Sequence, residues 1–197
     1  MQINHMMYST AHSKGFTLVE LLVVIAIVAV LSTVVIITLN PAELLKQTRD
    51  SNRISDMATL KSAVSLYLAD ATTPSLGSAT LCYESTTLAP TSTGCGGLFA
   101  GTRTTTQGDS RTVDGTGWIP VNFNGISSGS PLGNLPIDPL NNETYFYAYA
   151  ASGGVFEVNS NMESNRYVNG GSEDVESKDG GNKADNYEAG NAPSLAL

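Results

Sequence analysis

The sequence predicts an α+β protein: a long N-terminal helix, apolar in its first half and amphipathic in its second, packed on a small antiparallel β-sheet with long loops. Three observations predict it. An apolar run extends from Phe16 to Leu39 and contains one charged residue, Glu20. From Ala42 to about Asp70, apolar residues recur at steps of three and four. The rest of the chain is rich in Gly, Thr, Ser and Asn, and its apolar residues gather in short runs between turn residues. The chain therefore divides into a leader (1–15), a span-length helix (16–40), its amphipathic continuation (41–70) and a β-rich head (71–197).

The apolar run is about 36 Å long as a helix at ~1.5 Å per residue. A hydrocarbon core is about 30 Å thick, so the run can span a membrane. An ordinary secretory signal has a shorter apolar core, with its cleavage site after that core. Here the run is longer, and Gly15 precedes it. Glu20 has two readings. Thr17-Leu18-Val19-Glu20 has capping-box spacing, which makes Glu20 a cap of its own helix. An acid inside a membrane segment is also functional by default, because it costs roughly 2.5–3.5 kcal/mol on insertion scales. The two roles are compatible.

Lys14-Gly15-Phe16-Thr17-Leu18-Val19-Glu20 resembles the processing site of type IV prepilins, a family of pilus subunits, pseudopilins and competence pilins. The resemblance covers roughly residues 14 to 70 as a pattern, is very specific over the first dozen of them, and is loose beyond residue 70. It implies cleavage between Gly15 and Phe16 by a prepilin peptidase, methylation of the new amine on Phe16, and an assembly role for Glu20. It also implies a type IV pilin-like fold and a single-pass inner-membrane subunit with its head outside, later part of an extracellular filament. The implied partners are copies of the chain, related pilins, the peptidase, the assembly platform and, before assembly, membrane lipid. The charges flanking the span do not fix orientation by themselves. The reading is a structural filament subunit. The alternatives are a minor pilin or pseudopilin of a type II secretion or competence system, and a membrane-anchored calcium- or ligand-binding module that does not polymerise.

Asn40-Pro41 interrupts the apolar run. Pro41 either breaks or kinks the helix, as the resemblance implies, or starts a second helix at its first turn. Beyond it, Ile54, Met57, Ala58, Leu60, Val64, Tyr67 and Leu68 form an apolar stripe expected to pack on the sheet. Lys46, Arg49, Asp50, Arg53, Asp56 and Lys61 fall on the other side, expected to face neighbouring helices. Residues 75–117 read as a long connection with short pieces of structure. Three strands are expected at 117–123, 143–150 and 154–159, the last two as a hairpin. Between the first two, Pro136-Ile137-Asp138-Pro139 resembles a segment that precedes a strand in major pseudopilins. The strand aromatics read as core and cross-strand pairs.

Cys82 and Cys95 are the two cysteines. In an extracytoplasmic head they suggest one disulfide, worth roughly 3 kcal/mol for so short a loop. Two free thiols are the alternative. The net charge of −8 argues against direct nucleic-acid binding, although a local basic patch around Arg103 and Arg111 is compatible with the sequence. Late in the chain, Asp174, Asp179, Asn182 and Asp185 offer oxygen ligands among glycines. They are candidates for a calcium site, as the resemblance to major pseudopilins implies, and otherwise form a solvated acidic loop. His5 and His12 lie in the leader, and no catalytic constellation is visible, so a non-enzymatic subunit is expected.

Overall fold

The computed structural model describes residues 15–88, 93–99 and 101–197. Lys14, His5, His12 and the rest of the leader before Gly15 lie outside the described residues. Two compact units are present, Met1–Pro41 and Ala42–Leu197, each taken here by itself.

The first unit holds helix α1, Leu18–Leu39. Its sequence is almost wholly aliphatic, so nothing but backbone bonding and lipid-tolerant side chains is required of it. It is long and apolar enough to cross a membrane, and none of its residues is buried within the chain. Thr33 and Thr38 return their hydroxyls to the carbonyls of Ala29 and Val34, which hides their polarity inside the helix. Asn40 follows in the left-handed region (φ 42°), and α2 begins at Pro41. Proline suits that first position, where its missing N–H is not needed.

The second unit is the head with its helix α2, Pro41–Asp70. Five strands make one mixed sheet: β1 Leu81–Glu84, β2 Thr104–Gln107, β3 Tyr147–Ser152, β4 Val155–Ser160 and β5 Tyr187–Gly190, in spatial order β2-β1-β3-β4-β5. The expected antiparallel sheet is corrected at one edge, where β1 and β2 run parallel. The connection from residue 85 to 103 is long enough to cross over and return in the same direction. The β3–β4 hairpin turns on Gly153 and Gly154, both at positive φ, which suits a two-residue hairpin loop.

Strand alternation gives the sheet two different faces. Tyr83, Tyr147, Tyr149, Phe156, Val158 and Ala189 form a core with Met57, Leu60, Ala63, Val64 and Tyr67 of α2. Cys82, Ala148 and Ala150 point to the other face and pack with Cys95 and Phe99.

Two expected strands are revised. Residues 117–122 form no regular strand, and a 3-10 turn follows at Phe123–Gly125. Trp118, Ile119, Val121 and Phe123 are nevertheless buried. Pro120 cannot donate to a ladder, and the Trp118 indole N–H donates to the carbonyl of Pro136. The aromatic strand starts at Tyr147 rather than residue 143, because the Asn142 side chain accepts the backbone N–H groups of Thr144 and Tyr145 and makes a turn there.

Candidate functional site

The segment ahead of α1 is open. Residues 15–17 have no regular structure and are exposed; Phe16 is 90% exposed. A Cβ added at Gly15 would meet nothing within 4 Å, so no contact inside the described chain demands glycine there. The peptide bond between Gly15 and Phe16 is thus reachable by another protein. Thr17 then caps the helix. Its backbone is extended (φ −79°, ψ 152°), its hydroxyl oxygen accepts the N–H of Glu20 at 3.2 Å, and the Glu20 carboxylate accepts the Thr17 backbone N–H at 2.8 Å. The capping reading of Glu20 is therefore realised in the structure.

A prokaryotic N-terminal methylation motif matches residues 10–36. The chain carries the N-terminal segment of a type IV pilin-like prepilin. No curated protein and no solved structure matches it. The matched residues include Phe16 and Glu20, and the motif marks a precursor of the pilin-like or pseudopilin kind that a peptidase processes.

The prepilin's head is fastened to α2 by charges that the periodicity assigned to the open side of the helix. Asp50 and Arg53 are fully buried. The Arg53 guanidinium donates twice to Asp138, from Nε at 2.6 Å and from Nη2 at 2.9 Å, and once to Asp50 at 2.7 Å. Its carbon lies 4.8 Å from the ring centre of Tyr145. Asp50 in turn accepts the backbone N–H groups of Glu163 and Ser164. Glu43 accepts that of Asn165 at 2.6 Å. Arg49 forms a bidentate pair with Glu163, whose carboxyl is held below its ordinary range mainly by that contact. Tyr147 donates to Asp56 at 2.7 Å. A signal for this was present in the spacing. The buried stripe Met57, Leu60, Val64, Tyr67, extended backwards by steps of four and three, lands on Arg53 and Asp50.

Most acids of the head serve the same purpose: they take loop amides that would otherwise be left without partners. Asp138 accepts from the N–H groups of Leu140 and Asn141, Glu176 from those of Met162 and Asn169, and Asp70 from that of Ser127. The candidate calcium ligands belong to this set. Asp174 accepts from Gly170, Ser177 and the Ser177 hydroxyl, and these donors, led by the hydroxyl, hold it down to about 2. Asp179 accepts from Gly181 and Glu188, while Asn182 and Asp185 are exposed. Among the described residues no three His, Cys, Asp or Glu side chains are grouped to hold a metal ion. A calcium shell needs six to eight oxygens, and as arranged this donor set does not fit one. The arginines named for a basic patch are also engaged: Arg103 is buried and donates to the carbonyls of Ala79 and Ala151, and Arg111 donates to that of Leu135.

On the second face of the sheet the Cys82–Cys95 disulfide is formed, and Cys95 sits in a run at positive φ from Gly94 to Gly97. Only a glycine-rich segment enters such a run at low cost. The bond ties the β1–β2 crossover to β1. Beside it, Glu157 is fully buried between the Asn159 side-chain amide at 3.0 Å and the Leu197 backbone N–H at 3.0 Å. Burial pushes its carboxyl up to about 8.

Proposed function

We propose that this chain is a structural, non-enzymatic subunit of a type IV pilus or pilus-like filament. A prepilin peptidase cuts it between Gly15 and Phe16, the new amine of Phe16 is methylated, and the subunit assembles with copies of itself or related pilins through its N-terminal helix. The observation that carries this reading is α1. The motif runs into and through most of a 22-residue, almost wholly aliphatic helix with no buried residue. Water does not tolerate such a surface, so it must be covered. Lipid covers it while the precursor waits in the cytoplasmic membrane, and other α1 helices cover it in the filament core. The head, held to α2 by its own buried ion pairs, coats the outside at the cell surface.

Glu20 is the assembly residue in this scheme. A carboxylate among aliphatic helices needs a donor, and the positive amine created on Phe16 by cleavage is the nearest in kind. The test is intact mass and N-terminal sequencing of the protein extracted from its host's membranes, followed by filament microscopy. A mature chain beginning at methylated Phe16 and present in filaments is expected. A chain that retains residues 1–15, or one that is processed but never found in filaments, overturns the reading.

A further inference from the structure

We infer that Glu157 and Glu188 form a proton-sharing carboxyl pair that clamps the edge strand β5, and the segment after it, onto β4, and that this clamp opens as pH rises. The two acids lie on adjacent strands and on one face of the sheet. Glu188 stands directly opposite Asn159, which places it diagonal to Glu157 and within reach of a long side chain. Both residues are buried, and their carboxyl groups are in hydrogen-bonding contact with each other.

The pair is one donor short. Glu157 accepts the side-chain amide of Asn159 and the N–H of Leu197. Glu188 Oε2 accepts the N–H of Lys183 at 2.9 Å, and a Cβ added at Gly181 would collide with the same oxygen, so the 181–183 turn closes over it. Glu188 Oε1 is buried, and no N–H or hydroxyl of the described residues reaches it. A proton kept between the two carboxyls supplies the missing donor. Two ionised carboxylates in contact and shielded from water would repel each other instead.

The surrounding charges do not neutralise the pair. On the same face, Glu84 accepts from the Gln107 amide, and Arg103 donates to the carbonyls of Ala79 and Ala151. Asp179 takes the N–H groups of Gly181 and Glu188. Lys61 of α2, Lys178, Asp174 and Tyr187 share an open cavity with Glu188, and Lys183 lies in the turn beside it. Among the described residues, no lysine or arginine forms an ion pair with either carboxyl. The segment 191–197 carries no titratable side chain. Burial pushes both carboxyls up, that of Glu157 to about 8.

Strand β5 is the part that can yield, because it has four residues and pairs with β4 alone. Behind it, Asn191 and Ala192 donate to the Phe156 carbonyl, and Leu197 donates to Glu157 itself. Below about pH 8 the closed pair keeps its proton, whereas opened, solvated carboxyls have lost theirs. Raising the pH therefore favours the open state, by up to about tenfold per pH unit in that window.

The experiment is amide hydrogen exchange on the full chain in detergent micelles with a chelator present, at pH 6 and pH 9, each rate divided by its intrinsic value. Residues 187–197 are expected to lose at least about tenfold of their protection at pH 9 relative to β3, which serves as the internal reference. Glu157→Gln and Glu188→Gln each remove one charge and keep a donor, and either is expected to hold the ratio within about twofold between the two pH values. In parallel, infrared spectra of carboxyl-labelled protein at pH 6 are expected to show a protonated-carboxyl band that Glu157→Gln removes. Protection at 187–197 that follows β3 in the parent would overturn the inference, as would the same loss in both variants. A missing protonated band would do so too. So would protection at pH 6 that the chelator abolishes, since a metal ion rather than a proton would then join the two acids.

Discussion

Replacing Arg53 with methionine should unfold the head more readily than any other single charge removal on α2. The side chain is fully buried and satisfies two fully buried acids, Asp138 through two donors and Asp50 through one, while also reaching Glu163 at 3.5 Å. Methionine matches much of its length but leaves both carboxylates buried without a cation. Breaking a buried pair from one side costs ~3–5 kcal/mol, most of it from the stranded charge. Asp50 keeps the N–H groups of Glu163 and Ser164, and Asp138 keeps those of Leu140 and Asn141. These retained donors place the expected cost at the low end, about 3 kcal/mol. The full chain in detergent micelles can be titrated with urea and followed by its single tryptophan, Trp118, which is 3% exposed when folded. At an m-value of ~2 kcal/mol/M the midpoint should fall by about 1.5 M. Arg49→Met provides the internal contrast. That guanidinium is 26% exposed, so its pair with Glu163 should be worth about 1 kcal/mol or less. The double variant Arg53→Met/Asp138→Asn should recover part of the loss, because asparagine can still accept the two turn amides without a stranded charge. A cost below about 1 kcal/mol for Arg53→Met, or no recovery in the double variant, would refute the view that this buried cation fastens the head to α2.

Three further outcomes are expected. Reducing the Cys82–Cys95 bond, which spans 13 positions, should destabilise the head by roughly 3 kcal/mol in the chain-entropy model, read as a drop in urea midpoint with and without reductant. Folded Glu157 holds its proton up to about pH 8, while the unfolded carboxyl has lost it well below that. The folded state therefore binds more protons across this window, and stability should fall as pH rises from about 5 through about 8. Glu157→Gln should flatten that dependence in urea titrations at pH 6 and pH 9, and an equally steep profile in the variant would contradict it. Gly190→Ala should loosen β5, since a Cβ there would sit 2.2 Å from the Phe156 carbonyl oxygen on the neighbouring strand. A cost of about 2 kcal/mol and faster amide exchange at 187–190 are expected, and exchange like the parent's would count against it.

What the sequence by itself determined is local or periodic. The membrane-length helix, the interruption at Asn40-Pro41, the capping box of Thr17 and Glu20, the Gly153-Gly154 hairpin and the motif around Gly15 each depend on residues within a few positions of one another. Aliphatic continuity, capping spacing and turn residues report directly on such features. The tertiary structure decided the rest, because it turned on pairs far apart in the chain. Asp50 and Arg53 read as solvent-side charges until Asp138, 85 positions from Arg53, is brought against them. The β1–β2 pair became parallel because a crossover, not a turn, connects it. Residues 117–122 kept their burial and lost their strand, since core packing needs side chains and a ladder needs backbone donors that Pro120 lacks. The acidic loop looked like a set of ligands because its carboxylates could be counted but their donors could not. In the fold the oxygens of Asp174 and Asp179 are taken by nearby backbone amides, a fact that only the positions of those N–H groups could supply.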